Sequence, residues 1–80
     1  MAVNQVRKMS PQDESVWFKV RIALKVNPET EPIYKEIKIN ADRGVVTLEG
    51  NVASEEVARS AERAALGVQD VINVINNLKF

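Results

Sequence analysis

Histidine and cysteine are both absent from this 80-residue chain. Without cysteine there is no disulfide, no thiolate nucleophile and no thiolate zinc site, and cysteine usage gives no reading of the redox compartment. Without histidine the commonest general base and the commonest metal ligand are missing. Aromatic residues are also scarce: one Trp, one Tyr and two Phe. An RNA-binding sheet needs several exposed rings in a basic surround, and Tyr34 alone does not supply that. Eleven basic residues balance eleven acidic ones, so bulk electrostatics does not drive this chain onto nucleic acid. No apolar run follows the basic residues near the N-terminus. Neither a signal peptide nor a transmembrane span is therefore expected here, which leaves a cytoplasmic location open.

What remains is enough for one small domain. A domain of this length buries only about 60% of its unfolded surface, so few apolar side chains can be spared from the core. The zero net charge hides an asymmetry. Residues 1–40 carry seven basic and five acidic groups, while residues 41–80 carry four basic and six acidic. The first half is the place to look for an anionic partner.

Residues 1–9 show no period and read as a flexible arm; the domain proper is 10–80. Ser10-Pro11-Gln12-Asp13 is a helix start. Ser10 caps, Pro11 fits the first helical position, and Asp13 completes a capping box. The helix runs to Val26, because Asn27 precedes Pro28 and is pushed out of the helical region. After a loop to Pro32, Ile33, Lys35, Ile37 and Ile39 alternate with Tyr34, Glu36, Lys38 and Asn40, predicting a strand. Ala41 to Gly44 is a turn with Gly44 at positive φ. A second strand follows, with Val46, Leu48 and Val52 on one face and Val45, Thr47 and Glu49 on the other. Gly50 falls on the inward side, where a missing side chain admits a close neighbour. Ser54 caps a second helix with a small-residue stripe, Val57, Ala58, Ala61, Ala64 and Ala65. Gly67 ends it as a C′ residue. Residues 71–78 form the third strand, with Asn73, Asn76 and Asn77 marking its solvent side and exposed end.

The order α-β-β-α-β predicts an α+β fold, a two-layer sandwich with two helices on one face of a three-stranded mixed sheet. The helical crossover favours parallel second and third strands. The first strand is expected in the centre of the sheet. The other face, expected to carry Tyr34, Lys38, Val45, Thr47 and Glu49, stays open to solvent or pairs with another copy.

The first helix carries more apolar surface than its core stripe needs. At about 100° per residue, Ala23, Val16, Val20, Leu24 and Trp17 fill one arc. Phe18, Ile22 and Val26 form a second stripe on roughly the opposite side, with Arg21 and Lys25 on one flank and Lys19 on the other. Two readings fit. The arm residues Val3, Val6 and Met9, or the loop with Ile33, cover the stripe. Alternatively the stripe is an interaction face, for a lipid surface or a partner. Three cations near an anionic bilayer contribute about 1 kcal/mol each. Phe18 and Ile22, partly inserted, add roughly 2–4 kcal/mol before ordering costs. A single copy then binds in the roughly millimolar to high-micromolar range, and useful binding requires a second copy, an anchor or oligomerisation.

Catalytic chemistry finds no foothold. Glu55 and Glu56 are adjacent on a helix, so their carboxylates diverge and suit the dipole of the first turn instead. Asp42 and Asp70 are isolated turn acids, and no loop has the dense alternating acids of a calcium site. No phosphate-binding loop, nucleophile elbow or zinc motif occurs. The expectation is a non-enzymatic chain with no metal and no cofactor.

Three segments carry a family resemblance. They are Val16, Val20, Ala23 and Leu24 followed by Asn27-Pro28; the strand Gly44-Val45-Val46-Thr47-Leu48-Glu49-Gly50-Asn51-Val52; and Gly67-Val68-Gln69-Asp70-Val71 leading into Val74-Ile75-Asn76-Asn77-Leu78. In this order and spacing the chain resembles the BON domain, named for bacterial osmotically inducible and nodulation proteins, over roughly residues 13–79. The resemblance implies the same topology and a non-catalytic module associated with phospholipid membranes, commonly in periplasmic or envelope proteins, with some cytoplasmic members. Its glycines map onto Gly44, Gly50 and Gly67 as structural positions. Family members often occur in tandem or fused to other domains; this chain has a single copy. Trp17, Phe18 and the proline-bounded loop lie outside the shared pattern. The leading expectation is weak binding to a phospholipid surface or an envelope protein through Phe18, Lys19, Arg21, Ile22, Lys25 and Val26. The alternatives are a protein-protein interaction module or a self-assembly module that forms homo-oligomers, or a small-ligand-sensing regulatory domain of a larger protein.

Overall fold

The structure is a computed structural model and describes residues 9–80. Val3 and Val6, and the cations Arg7 and Lys8, lie outside the described residues. The chain runs α1 (Pro11–Val26), a 3-10 helix (Glu31–Glu36), β1 (Lys38–Asp42), β2 (Val45–Asn51), α2 (Glu55–Leu66) and β3 (Asn73–Lys79). Two helices pack on a three-stranded mixed sheet, the α+β sandwich that the element order predicts. No described helix is long and apolar enough to cross a membrane.

The helix starts follow from their caps. The Ser10 hydroxyl accepts from the Asp13 N–H at 3.1 Å, and the Ser54 hydroxyl accepts from the Val57 N–H at 3.3 Å. Asp13 does not close a capping box. Its carboxylate accepts instead from the Arg43 backbone N–H at 2.9 Å, because the β1–β2 turn lies against this end of α1. That turn has Arg43 at φ 52 and Gly44 at φ 86, the two consecutive positive values of a two-residue hairpin. At its other end α1 is closed by Thr30, fully buried, whose hydroxyl donates to the Leu24 carbonyl. Asn27 ties this corner to α2 by accepting from the Ser60 hydroxyl at 3.3 Å.

The first strand begins later than the alternation suggests. Residues 31–36 form the 3-10 helix, with the Ile33 N–H bonded to the Thr30 carbonyl and the Ile37 N–H to the Tyr34 carbonyl. Pro32 sits in its first turn, where a fixed φ and a missing N–H are tolerated; a ladder position would have needed that donor. Ile33 and Tyr34, neighbours in sequence, are both partly buried against the core, which a period of two forbids. Tyr34 therefore sits beside α1 and not on the open sheet face. The true alternation is Ile37, Ile39 and Ala41, all buried.

The strand order is β1-β2-β3, so β2 and not β1 is central. Ile39 faces Leu48 in the antiparallel pair, and Val46 faces Val74 in the parallel one. On the side away from the helices the central β2 carries the apolar Val45 beside Thr47, both half-buried between neighbours, while the edge strand β1 exposes Lys38, Asn40 and Asp42. The crossover through α2 returns the chain beside β2, the placement available without passing over β1.

Within the core, Val16, Val20 and Leu24 from α1 meet Val46, Leu48, Val74 and Leu78 from the sheet. Ala58, Ala61 and Ala65 let α2 lie close. Asn76 corrects the reading of the third strand: it faces inward. Its amide donates to the Ala58 carbonyl at 3.0 Å and to Glu62 at 3.1 Å, and its oxygen accepts from the Leu78 N–H at 3.1 Å. Gly67 closes α2 in the right-handed region, at φ −77, and not as the left-handed C′ residue. The positive φ of this loop belongs to Asp70, at 79.

Both outer edges of the sheet are engaged by side chains. In the antiparallel pair the residues flanking a two-residue turn bond to each other, so alternate residues, Ile39 among them, aim their backbone groups outward. The Trp17 indole N–H donates to that Ile39 carbonyl at 3.0 Å. On β3 the Lys79 carbonyl faces β2, so the Leu78 N–H points to the other edge, where Asn76 accepts from it. Such contacts blunt the templating tendency of a bare edge.

Candidate functional site, the outer face of the first helix

The core claims one side of α1, and the other side remains uncovered among the described residues. Phe18 is 57% exposed, Ile22 45% and Val26 71%. At spacing i, i+4, i+8 they form a line along the helix. The Ile33 segment packs against the core and leaves this line open. Met9 is half-buried.

The cations take three different situations. Lys19 lies 4.0 Å from Asp70, in a pair half exposed on both sides and so of little energetic weight. Arg21 lies near two rings, with its guanidinium carbon 5.7 Å from the centre of Trp17 and 5.3 Å from that of Tyr34. Lys25, one turn further on, lines a shallow groove with Tyr34, Lys35, Glu31 and Glu36. Neither Arg21 nor Lys25 has a carboxylate within ion-pair distance among the described residues, and residues 1–8 contain no Asp or Glu. The stripe is thus bordered by Lys19 on the side of the loop after α2 and by Arg21 and Lys25 on the side of the 3-10 helix.

Phe18, Lys19, Arg21, Ile22, Lys25 and Val26 therefore share one face, as their spacing implies. Sequence reasoning missed Tyr34 as part of it, because an apparent alternation assigned that residue to a strand. The link between Trp17 and Arg21 was legible as an i, i+4 pair.

Other surfaces are less suited to an anionic partner. The open sheet face carries Ile75, exposed at 45%, beside Val45 and Thr47, but Lys38 and Lys79 there are mixed with Asp42 and Glu49. Glu55 is engaged by Arg59 at 2.9 Å. Among the described residues no group of three or more acidic, histidine or cysteine side chains could hold a metal.

No curated protein matches the chain closely enough to count as a relative. The family pattern of the BON domain matches residues 12–80. Domains of that family generally act as non-catalytic lipid- or membrane-binding modules in bacterial membrane and envelope proteins. The match takes in both helices and all three strands, and the chain belongs to the BON domain family.

Proposed function

We propose that this domain docks on an anionic phospholipid surface of the bacterial envelope through the outer face of α1. Phe18, Ile22 and Val26 enter the interfacial region, and Lys19, Arg21 and Lys25 lie at headgroup level. The observation that carries the reading is the exposed apolar line bordered by cations, on a helix whose opposite side is already committed to the core. The family supports a membrane-facing role, and a periplasmic setting fits it. One copy binds weakly, for the energetic reasons given above, so the domain works beside another copy or an anchor.

Flotation with phosphatidylglycerol vesicles tests this. Wild type floats, and less so as salt rises, because each surface cation is screened. Phe18→Glu places a charge in the interface and repels the headgroups, so binding falls at least about tenfold. Equal flotation of the two proteins, or none by either, defeats the proposal.

The second reading is self-association through the open face of the sheet, favoured by exposed Ile75 beside half-buried Val45. Sedimentation without lipid distinguishes it: a concentration-dependent dimer weakened by Ile75→Lys supports it, and a strict monomer removes it.

A further inference from the structure

We propose that Arg21 is the point at which the domain recognises the headgroup phosphate, held ready for it by Trp17 and Tyr34. This rests on the membrane reading of α1 and names the group which that face binds.

A guanidinium is a planar donor with its N–H groups in the plane. Attraction to the π face of a ring does not consume the N–H donors, and an oxyanion with two accessible oxygens takes them two at a time. Arg21 has a ring near it from each of two elements, Trp17 from its own helix and Tyr34 from the 3-10 helix. Both rings are themselves positioned. Trp17 is tied to β1 through the Ile39 carbonyl, and Tyr34 packs against the core. An arginine so held gives up less rotamer freedom on binding than a free one. It also has no carboxylate partner among the described residues to occupy its donors. Lys25, one turn away and equally unpaired, adds a second positive charge. The nearby Glu31 and Glu36 form no ion pair with Lys25 or Lys35. Phe18 and Ile22 on the adjoining stripe supply the apolar contact that a free anion lacks and a lipid provides.

The experiment uses the whole chain with short-chain dihexanoyl phosphatidylglycerol and, separately, inorganic phosphate. The Arg21 Nε–H resonance is followed by NMR together with the amides of Phe18, Ile22 and Val26. The lipid is expected to shift the Arg21 Nε–H in step with the stripe amides, and inorganic phosphate at equal concentration to shift it far less. Arg21→Lys keeps the charge but loses the planar fork. It is expected to bind phosphatidylglycerol vesicles about fivefold more weakly, and Tyr34→Leu, which removes one ring, about twofold more weakly. If the stripe amides move while the Arg21 Nε–H stays still, and Arg21→Lys binds like wild type, the bracket is structural and this proposal falls with the helix reading intact. If phosphate and lipid shift Arg21 equally, the site takes a free anion and the lipid assignment is overturned. If neither the stripe nor Arg21 responds to lipid, both readings fail.

Discussion

Gly50→Ala is expected to cost about 3 kcal/mol, a large part of the roughly 5 kcal/mol that holds a domain of this size folded. Gly50 has φ +134, and a Cβ there would lie 2.9 Å from the Glu36 backbone carbonyl oxygen. A backbone oxygen cannot rotate away, and Gly50 is pinned in the ladder opposite Leu78, so neither side can yield. The other two glycines calibrate the claim. At Gly44 the φ of +86 also disfavours a side chain, but the closest obstacle is the Ile72 side chain, which is 76% exposed and can swing aside; about 1–2 kcal/mol follows. At Gly67 φ is −77 and the nearest atoms are 3.6 Å from a built Cβ. Gly67→Ala should therefore be neutral or stabilise by up to about 1 kcal/mol, through the lost freedom of the unfolded chain. Urea unfolding of the three variants checks the ranking, and a Gly67 variant weaker than the Gly50 variant would contradict it.

The second large effect is expected at Trp17. Trp17→Ala removes a half-buried ring that packs on the core, costing about 2–4 kcal/mol. Trp17→Phe keeps most of the apolar contact but leaves the outward Ile39 carbonyl without its 3.0 Å donor, costing about 1 kcal/mol. The informative readout is association. An unplugged β1 edge offers backbone groups to another chain, so Trp17→Phe should show more concentration-dependent sedimentation than wild type under conditions where both are fully folded. A Phe variant as stable as wild type and equally monomeric would show that the indole contact does neither job.

The fold was legible wherever local chemistry and tertiary packing agree. Ser10, Pro11 and Asn27-Pro28 bound α1 correctly, and of the expected α2 stripe Ala58, Ala61 and Ala65 are buried while Val57 and Ala64 are partly so. The misreadings arose where two signals competed. Ile33 and Tyr34 sit in an alternating run, yet Pro32 and local i+3 bonds turn that stretch into a 3-10 helix. Asn76 is polar and so reads as solvent-facing, but the α2 backbone offers it the Ala58 carbonyl, a partner a single sequence does not reveal. Strand order depends on relations between distant segments, which the local periodicity of each strand does not carry. Of the candidate site, the stripe and its cations follow from helical periodicity alone. The bracket around Arg21 does not, since it requires Tyr34 to arrive from another element.

The outer stripe of α1 is the surface proposed to meet the membrane. The most direct measurement is amide relaxation of isotope-labelled protein on phosphatidylglycerol vesicles carrying a nitroxide lipid. Broadening is predicted to concentrate on Phe18, Lys19, Ile22, Lys25 and Val26 and to spare Val45, Thr47 and Ile75 on the opposite sheet face. Broadening centred on Val45, Thr47 and Ile75, with α1 untouched, would contradict the account.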